Sequence, residues 1–308
     1  MAEVICVGSA VLDQVYEVPA LTDGVGTLFA YAYRQAGAGL AANAAVGAAR
    51  LGGSAVLWTR LGDDETGDLI IADLQRRNVD TAGLLRVAGA QSPLSSVVAS
   101  ASGQRQTTRF DGVGLPTDPD WLPLARLQDT SAVLAEPHWQ EGATVVLEQA
   151  RDHRLPGILA IGETLNPTPV ALARTARYVL FAHAELHRFS GENDTSAALV
   201  AAAQMTGALV GVTSGYDGFR WCEPDGAPQF MPPPAIDLVD PAASWDSFCG
   251  AFALAIGEEK SLETAIAFAI TTAGLTSGTR GGRSSIPDRR TVWSRLAAEF
   301  PDVPDADG

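Results

Sequence analysis

The chain has 308 residues, 46% of them apolar and 19% charged, which excludes intrinsic disorder and allows one large buried core. A formal net charge of −15 repels nucleic acid and anionic lipid, so neither is expected as a main partner. A few local arginines or a helix N-terminus can still receive an anionic substrate.

Val4 to Gly8 reads as a buried strand. No basic segment precedes it, and the alanine-rich runs further on are too short or too interrupted to span a bilayer, so the expectation is a cytoplasmic protein without a signal peptide. Leu40 to Leu51 predicts an alanine-rich helix closed by Gly52-Gly53. Ala55 to Thr59 predicts a strand, and Asp64 caps a helix that runs to about Arg77 and stops at Asn78. Further strands are expected at Ala132–Ala135, Gly157–Ile161, Tyr178–Phe181 and Leu209–Thr213. Helices are expected near 141–153, 168–176, 194–206, 244–256 and 261–277. Strand and helix in alternation imply a mostly parallel sheet covered by helices. Residues 12–35 and 84–112 break the rhythm, with alternating stretches such as Leu28-Phe29-Ala30-Tyr31-Ala32-Tyr33 and Ser95-Ser96-Val97-Val98. Antiparallel strands from these two insertions would pair into a small sheet, a lid or dimer surface whose apolar face needs a cover. Cys6, Cys222 and Cys249 are odd in number and far apart, with no C-x-x-C, which argues against a disulfide framework or zinc site and suits a reducing cytosol.

The segment of greatest chemical interest is Asp240-Pro241-Ala242-Ala243-Ser244-Trp245-Asp246-Ser247-Phe248. It places an acid at the mouth of an apolar helix, where first-turn N–H groups and the positive dipole end favour phosphate oxygens. A carboxylate in that turn can take a proton from a hydroxyl attacking a bound phosphoryl group. An aspartate at a helix start is also common for its dipole alone.

This segment resembles the second signature, D-T-x-G-A-G-D-x-F, of the ribokinase-like (PfkB-type) carbohydrate kinases. Asp240, Asp246 and Phe248 match it; Ala243-Ser244-Trp245 replaces Gly-Ala-Gly, with Trp245 the most severe change. The indole either fills the space of the transferred phosphate or turns outward and leaves the N–H groups usable. The resemblance extends over nearly the whole chain. Asp13 follows the first strand, Gly37-Ala38-Gly39-Leu40-Ala41-Ala42-Asn43 is similar to the first signature, and Arg60 to Gly67 carries the G-x-D-x-x-G run. Val212-Thr213-Ser214-Gly215-Tyr216-Asp217-Gly218 looks like the nucleotide-side turn, and Glu185 matches the N-x-x-E glutamate whose asparagine is here Ala182. Arg34–Gly37, Ala135–Trp139 and Arg280–Asp288 have the flavour of the sulfofructose kinase branch, though His138 stands where a stronger cation would serve an anionic sugar.

The resemblance implies a single three-layer α/β/α domain over 1–308, with lid segments at about 12–35 and 88–112. It implies Asp246 as general base and Asp13, Gly39, Asn43 and Arg105 on a sugar. It puts Thr213, Gly215, Gly218, Ala243, Ser244, Trp245 and Gly250 on ATP, and has Glu185 reach Mg2+ through water with no direct protein ligand. A monovalent cation is a further candidate, and a homodimer through the lid is expected. The rival reading is a weak or inactive homologue that binds a sugar or nucleoside as a sensor or scaffold, because both phosphate-side motifs are altered while Asp13 and Asn43 stand.

Other patterns carry less. Gly37-x-Gly39-x-x-Ala42 imitates a dinucleotide fingerprint but does not follow directly on the first strand, and G-x-x-x-x-G-K-[ST] and G-x-S-x-G are absent. His138, His153, His183 and His187 lack zinc spacing, and surface placement is expected for the last two. Arg280 and Arg283 are read as caps of a helix end or as nucleotide contacts, and Arg109 as a solvated strand residue or a lid cation.

Overall fold

The computed structural model describes residues 1–303 apart from 23, 25 and 214–216. In chain order the strands are β1 (Glu3–Val7), β2 (Val11–Val18), β3 (Ala32–Ala38), β4 (Ser54–Trp58), β5 (Arg60–Gly62), β6 (Val79–Asp80), β7 (Leu85–Val87), β8 (Leu94–Ser100), β9 (Arg105–Phe110), β10 (Ala132–Ala135), β11 (Gly157–Ile161), β12 (Tyr178–Ala182), β13 (Leu209–Thr213), β14 (Phe219–Cys222) and β15 (Gln229–Met231). The helices are α1 (Leu40–Arg50), α2 (Glu65–Arg76), α3 (Gln140–Asp152), α4 (Val170–Ala173), α5 (His183–Ser190), α6 (Thr195–Thr206), α7 (Ser244–Gly257), α8 (Leu262–Ser277) and α9 (Arg289–Glu299).

The main sheet has nine strands in the order β15-β14-β13-β12-β11-β10-β1-β4-β6. The ladders from β13 through β6 are parallel, and β14 and β15 join antiparallel. Both faces are covered, so the central strands are apolar throughout. Alternation along β1 sends Val4 and Cys6 into the core shared with α1, α7 and α8, and Ile5 and Val7 into the core shared with α3 and α6. The three cysteines are buried and free. No helix among the described residues is long and apolar enough to cross a membrane.

A separate four-stranded sheet, β3-β2-β8-β9, forms the lid. One expectation is corrected here: β2 pairs with β8 in parallel, not antiparallel. The two strands come from separate excursions of the chain, and a parallel pair of this kind needs a long crossover, which the residues between them supply. The lid's far face leaves Tyr33 and Phe110 exposed, with Phe29 and Tyr31 open beside it.

Local chemistry explains most helix limits. Asp64 accepts from the N–H of Gly67 at the head of α2, and Asn78 follows its end at φ 60, as the spacing predicts. Ser261 caps α8 in the same way through Thr264. The helix expected over 168–176 contracts to four residues, boxed between Pro169 and the start of β12. Helices α5 and α9 and the β14–β15 hairpin are additional to the elements read from the sequence.

Two helices meet unusually closely. A Cβ on Gly250 of α7 would lie 2.2 Å from the carbonyl oxygen of Ala44 on α1. The contact surface of α1 is almost all alanine, which allows the approach. Gly250, expected on the nucleotide side, is therefore a buried packing residue, because only hydrogen fits between the backbones. Gly250→Ala should destabilise the fold by about 1–3 kcal/mol through overpacking. Denaturant unfolding checks this, and an unchanged midpoint would show that α1 and α7 part freely.

Candidate active site

The parallel strands end together at one edge of the sheet. The chain leaves β1 toward β4 and later returns on the other side at β10, so the crevice at the ends of β1 and β10 is a topological switch point, where α/β folds bind ligands. Gly8 and Ser9 follow β1, and Glu136 follows β10. Glu136 is fully buried; its carboxylate accepts the Ser9 N–H and pairs with Nδ1 of His138 at 2.6 Å. Burial alone would raise its pKa, but the adjacent His138 charge and the hydrogen bonds from His138 and Ser9 outweigh it and hold the carboxyl at about 2. The same pairing raises His138.

Gly39 brings α1 onto this turn. It sits at φ 95 as the N-cap of α1, and a Cβ there would meet the Ser9 carbonyl at 2.5 Å. One turn later the buried Asn43 donates from Nδ2 to Oδ2 of Asp246 at 2.7 Å. Asp246 lies in the first turn of α7, which no side chain caps. Its carboxyl is pushed up to about 6 by burial; the Asn43 hydrogen bond and Arg283 oppose this, while Glu136 and Asp13 reinforce it. Asp13, on the lid strand β2, accepts from Ser95 on β8, and burial raises it too, against the charges of Arg283, Arg109 and Arg105. Asp13, Gly39, Asn43 and Asp246 thus come together as the sequence predicts.

Arg105 is held elsewhere. Its guanidinium donates to Oδ1 of Asp240 at 2.7 Å, latching β9 of the lid to the turn before α7. Asp240 is buried and also accepts from the N–H groups of Ala242 and Gly281, so it needs this cation. The residue expected on a substrate thus forms a latch between the lid and this turn.

On the other side of α7 lies an apolar cavity of about 330 Å³, lined by Thr213, Gly218, Pro233, Ser244, Trp245 and Phe248 among others. Thr213, Gly218, Ser244 and Trp245 therefore share one pocket; Gly215 falls outside the described residues. Ala243 takes the left-handed conformation at φ 61, the position where the resembled signature has glycine. Trp245 does not turn outward. Its ring stacks on Phe248 at 5.7 Å and 9°, and its Nε1 is buried near Gly162 without a hydrogen-bond partner among the described residues.

Glu185 sits apart in a small hollow with Thr168 and Phe189, 3.6 Å from Arg188 and 3.4 Å from the Thr164 hydroxyl. No group of three acidic, histidine or cysteine residues gathers as a metal site among the described residues. These residues alone do not form a magnesium cage. His183 and His187 lie on one face of α5 with ring centroids 4.8 Å apart, so that stretch is helical after all. Arg283, expected to cap a helix or reach a nucleotide, is buried behind the end of β3, its Nε donating to the Gly37 carbonyl at 2.8 Å. Sequence reasoning gave no role to Glu136, although an acid at the C-terminal end of an apolar strand is the signal that finds it.

The sequence profile of the pfkB family carbohydrate kinases matches residues 1–289. An ATP-dependent ribose-1-phosphate kinase of Halopiger xanaduensis is 27% identical, over 97% of this chain and 100% of its own length. The ribokinase of Bacillus subtilis is 25% identical, over 96% and 100%. The structure of Arabidopsis thaliana ribokinase complexed with ribose and ATP superposes with a TM-score of 0.85 at 26% identity, covering 96% of this chain and 98% of that one. These relatives are ribokinases and a ribose-1-phosphate kinase, in place of the sulfofructose kinase branch suggested by three short runs of sequence.

The Glu136–His138 pair has a defined pH window. The lowered carboxyl stabilises the fold above its unfolded pKa near 4.3 and loses that contribution as pH falls toward 2. The raised histidine stabilises fully below about 6.5 and loses its contribution as pH rises through its folded value. The difference in unfolding midpoint between the native chain and Glu136→Gln should therefore be largest between about pH 4.5 and 6.5. A difference flat from pH 3 to 9 would show that the pair carries no charge.

Proposed function

The chain belongs to the pfkB family of carbohydrate kinases, and on that footing we propose that Asp246 is the general base with which it phosphorylates a sugar hydroxyl from ATP. The protein is a carbohydrate kinase, a phosphotransferase with an alcohol acceptor. The observation that carries the assignment is the Asn43–Asp246 contact of 2.7 Å at an uncapped helix start, with the carboxyl poised at about 6.

In this reading the sugar lies between lid and sheet ends, its hydroxyls met by Asp13, Asn43 and the Gly39 backbone. ATP enters the cavity beside Trp245 and Ser244, with its γ-phosphate toward the first turn of α7. The hydroxyl oxygen attacks the γ-phosphorus, its proton passes to Asp246, and the bond to the β-phosphate oxygen breaks to release ADP. Amides at the head of α7 receive the equatorial oxygens. The lid, latched through Arg105 and Asp240, keeps water out. Magnesium would be carried in by the nucleotide, with Glu185 reaching it through water; no step above depends on it. Ribose and ribose 1-phosphate, from the names of the relatives, are the first acceptors to test.

Asp246→Asn should lower kcat by about 10²–10⁴-fold. In the native enzyme kcat/KM should rise with pH through about 6 and level off, because only the ionised carboxyl accepts a proton. Asn43→Ala removes a hydrogen bond that favours the ionised form, so the acid limb should move to higher pH. A limb that stays in place would detach Asn43 from the base.

A second reading, a weak or non-catalytic binder of a sugar or nucleoside, is favoured by the inward Trp245 and by Ala182 in place of asparagine. The double change Ala243→Gly and Trp245→Gly distinguishes the two in calorimetric titration with ATP. A gain in affinity of tenfold or more supports a blocked site, and unchanged or weaker binding supports a working one.

A further inference from the structure

Strand β9 is the edge of the lid, and every residue along it is exposed. Asp13 pairs with Ser95, and Ser95 with Arg109. Alternation therefore gives Arg105, Thr107 and Arg109 the face that Asp13 presents to the cleft. Arg109 is held within the lid by Asp111. Arg105 leaves the lid: its Nη2 donates to Oδ1 of Asp240 at 2.7 Å. The pair spans a hollow of about 260 Å³ whose other walls include Glu17, Arg34 and Arg280.

At the far end of this contact the Asp240 carboxylate is a hub. Oδ1 also accepts the Ala242 N–H at 3.0 Å, and Oδ2 accepts the Gly281 N–H at 3.3 Å. The Asp240 backbone is fixed separately, its N–H donating to the Ser277 carbonyl of α8 at 2.9 Å. Ala242 leads through Ala243, at φ 61, into the first turn of α7. Gly281 leads to Arg283, which holds the Gly37 carbonyl at the end of β3. One carboxylate thus shapes the turn before α7 and ties it to the chain behind the lid.

The Asp240 side chain is 7% exposed, against 32% for Arg105. A buried carboxylate that loses its cation is costly to keep in place. It relieves that cost by rotating toward water, which releases the N–H groups of Ala242 and Gly281. The shape of the turn before α7 therefore depends on where the lid's edge lies. Asp13 and Arg105 belong to the same hydrogen-bonded sheet, so a ligand held at Asp13 also fixes the reach of Arg105.

We propose that Arg105 is a positioning residue that couples acceptor binding to nucleotide binding. A lid drawn down on the acceptor delivers its guanidinium to Asp240, and the braced turn then presents the α7 amides to the γ-phosphate. Without an acceptor the turn is unbraced, ATP binds less well and its loss to water is limited. The proposal rests on the kinase reading above and assigns it an order: acceptor first, nucleotide second.

The test is calorimetric titration of the full chain with AMP-PNP, alone and with saturating ribose, or with ribose 1-phosphate if ribose gives no binding heat. In the native chain the acceptor should tighten AMP-PNP by about tenfold. In Arg105→Ala both ligands should still bind, but that ratio should fall to about one, and Arg105→Lys should keep part of it. Arg105→Ala/Asp240→Asn leaves no lone buried carboxylate, so it should keep the native unfolding midpoint and still lose the ratio. A merely structural arginine predicts weaker AMP-PNP binding by the same factor with and without acceptor. That preserved ratio, or a ratio of one in the native chain, overturns the proposal and leaves the kinase reading standing. A native chain that binds neither AMP-PNP nor either acceptor overturns both.

Discussion

The site depends on how closely α1 and α7 can approach. Gly250 against the Ala44 carbonyl, with alanines along the rest of α1, lets the two backbones nearly touch. That approach brings the head of each helix to the same end of β1, and it places Asn43 within 2.7 Å of Asp246. A larger residue in that seam would separate the carboxylate from the amide that steadies it. A packing constraint one turn inside the core therefore sets geometry at the surface of the cleft.

Around this seam the protein keeps an unusual electrostatic balance. Asp13, Asp246 and Glu136 gather in one cleft; burial raises the first two, the charges of Glu136 and Asp13 add to the rise at Asp246, and His138 holds Glu136 ionised. Arg105 is spent on Asp240, and Arg283 approaches from behind the Gly37 loop. The result is one carboxyl that is firmly charged and one poised near neutrality, the division of labour that proton transfer requires. The latch between β9 and the turn before α7 links that balance to lid position.

Trp245 marks where this chain departs from the signature it resembles. The ring joins a stack that runs through Phe248 to Phe252, so the substitution is built into the core as well as the pocket. It narrows the space beside Gly162 and leaves one indole N–H without an acceptor among the described residues.

Much of this was legible in the sequence because it is written in local chemistry. Period-two and helical patterns, Asp64 as a cap and Asn78 as a stop follow from interactions within a few residues, and they specify the layered α/β fold. Asp13, Gly39, Asn43 and Asp246 were legible as an ordered set through resemblance. Short elements such as α5 and the β14–β15 hairpin were not, since a few residues carry little periodic signal. The parallel pairing of β2 with β8, the diversion of Arg105 to Asp240, the packing role of Gly250 and the burial of Arg283 behind Gly37 were decided only in three dimensions. Each joins residues far apart in the chain, and desolvation and charge pairing act on distances that one-dimensional order does not contain.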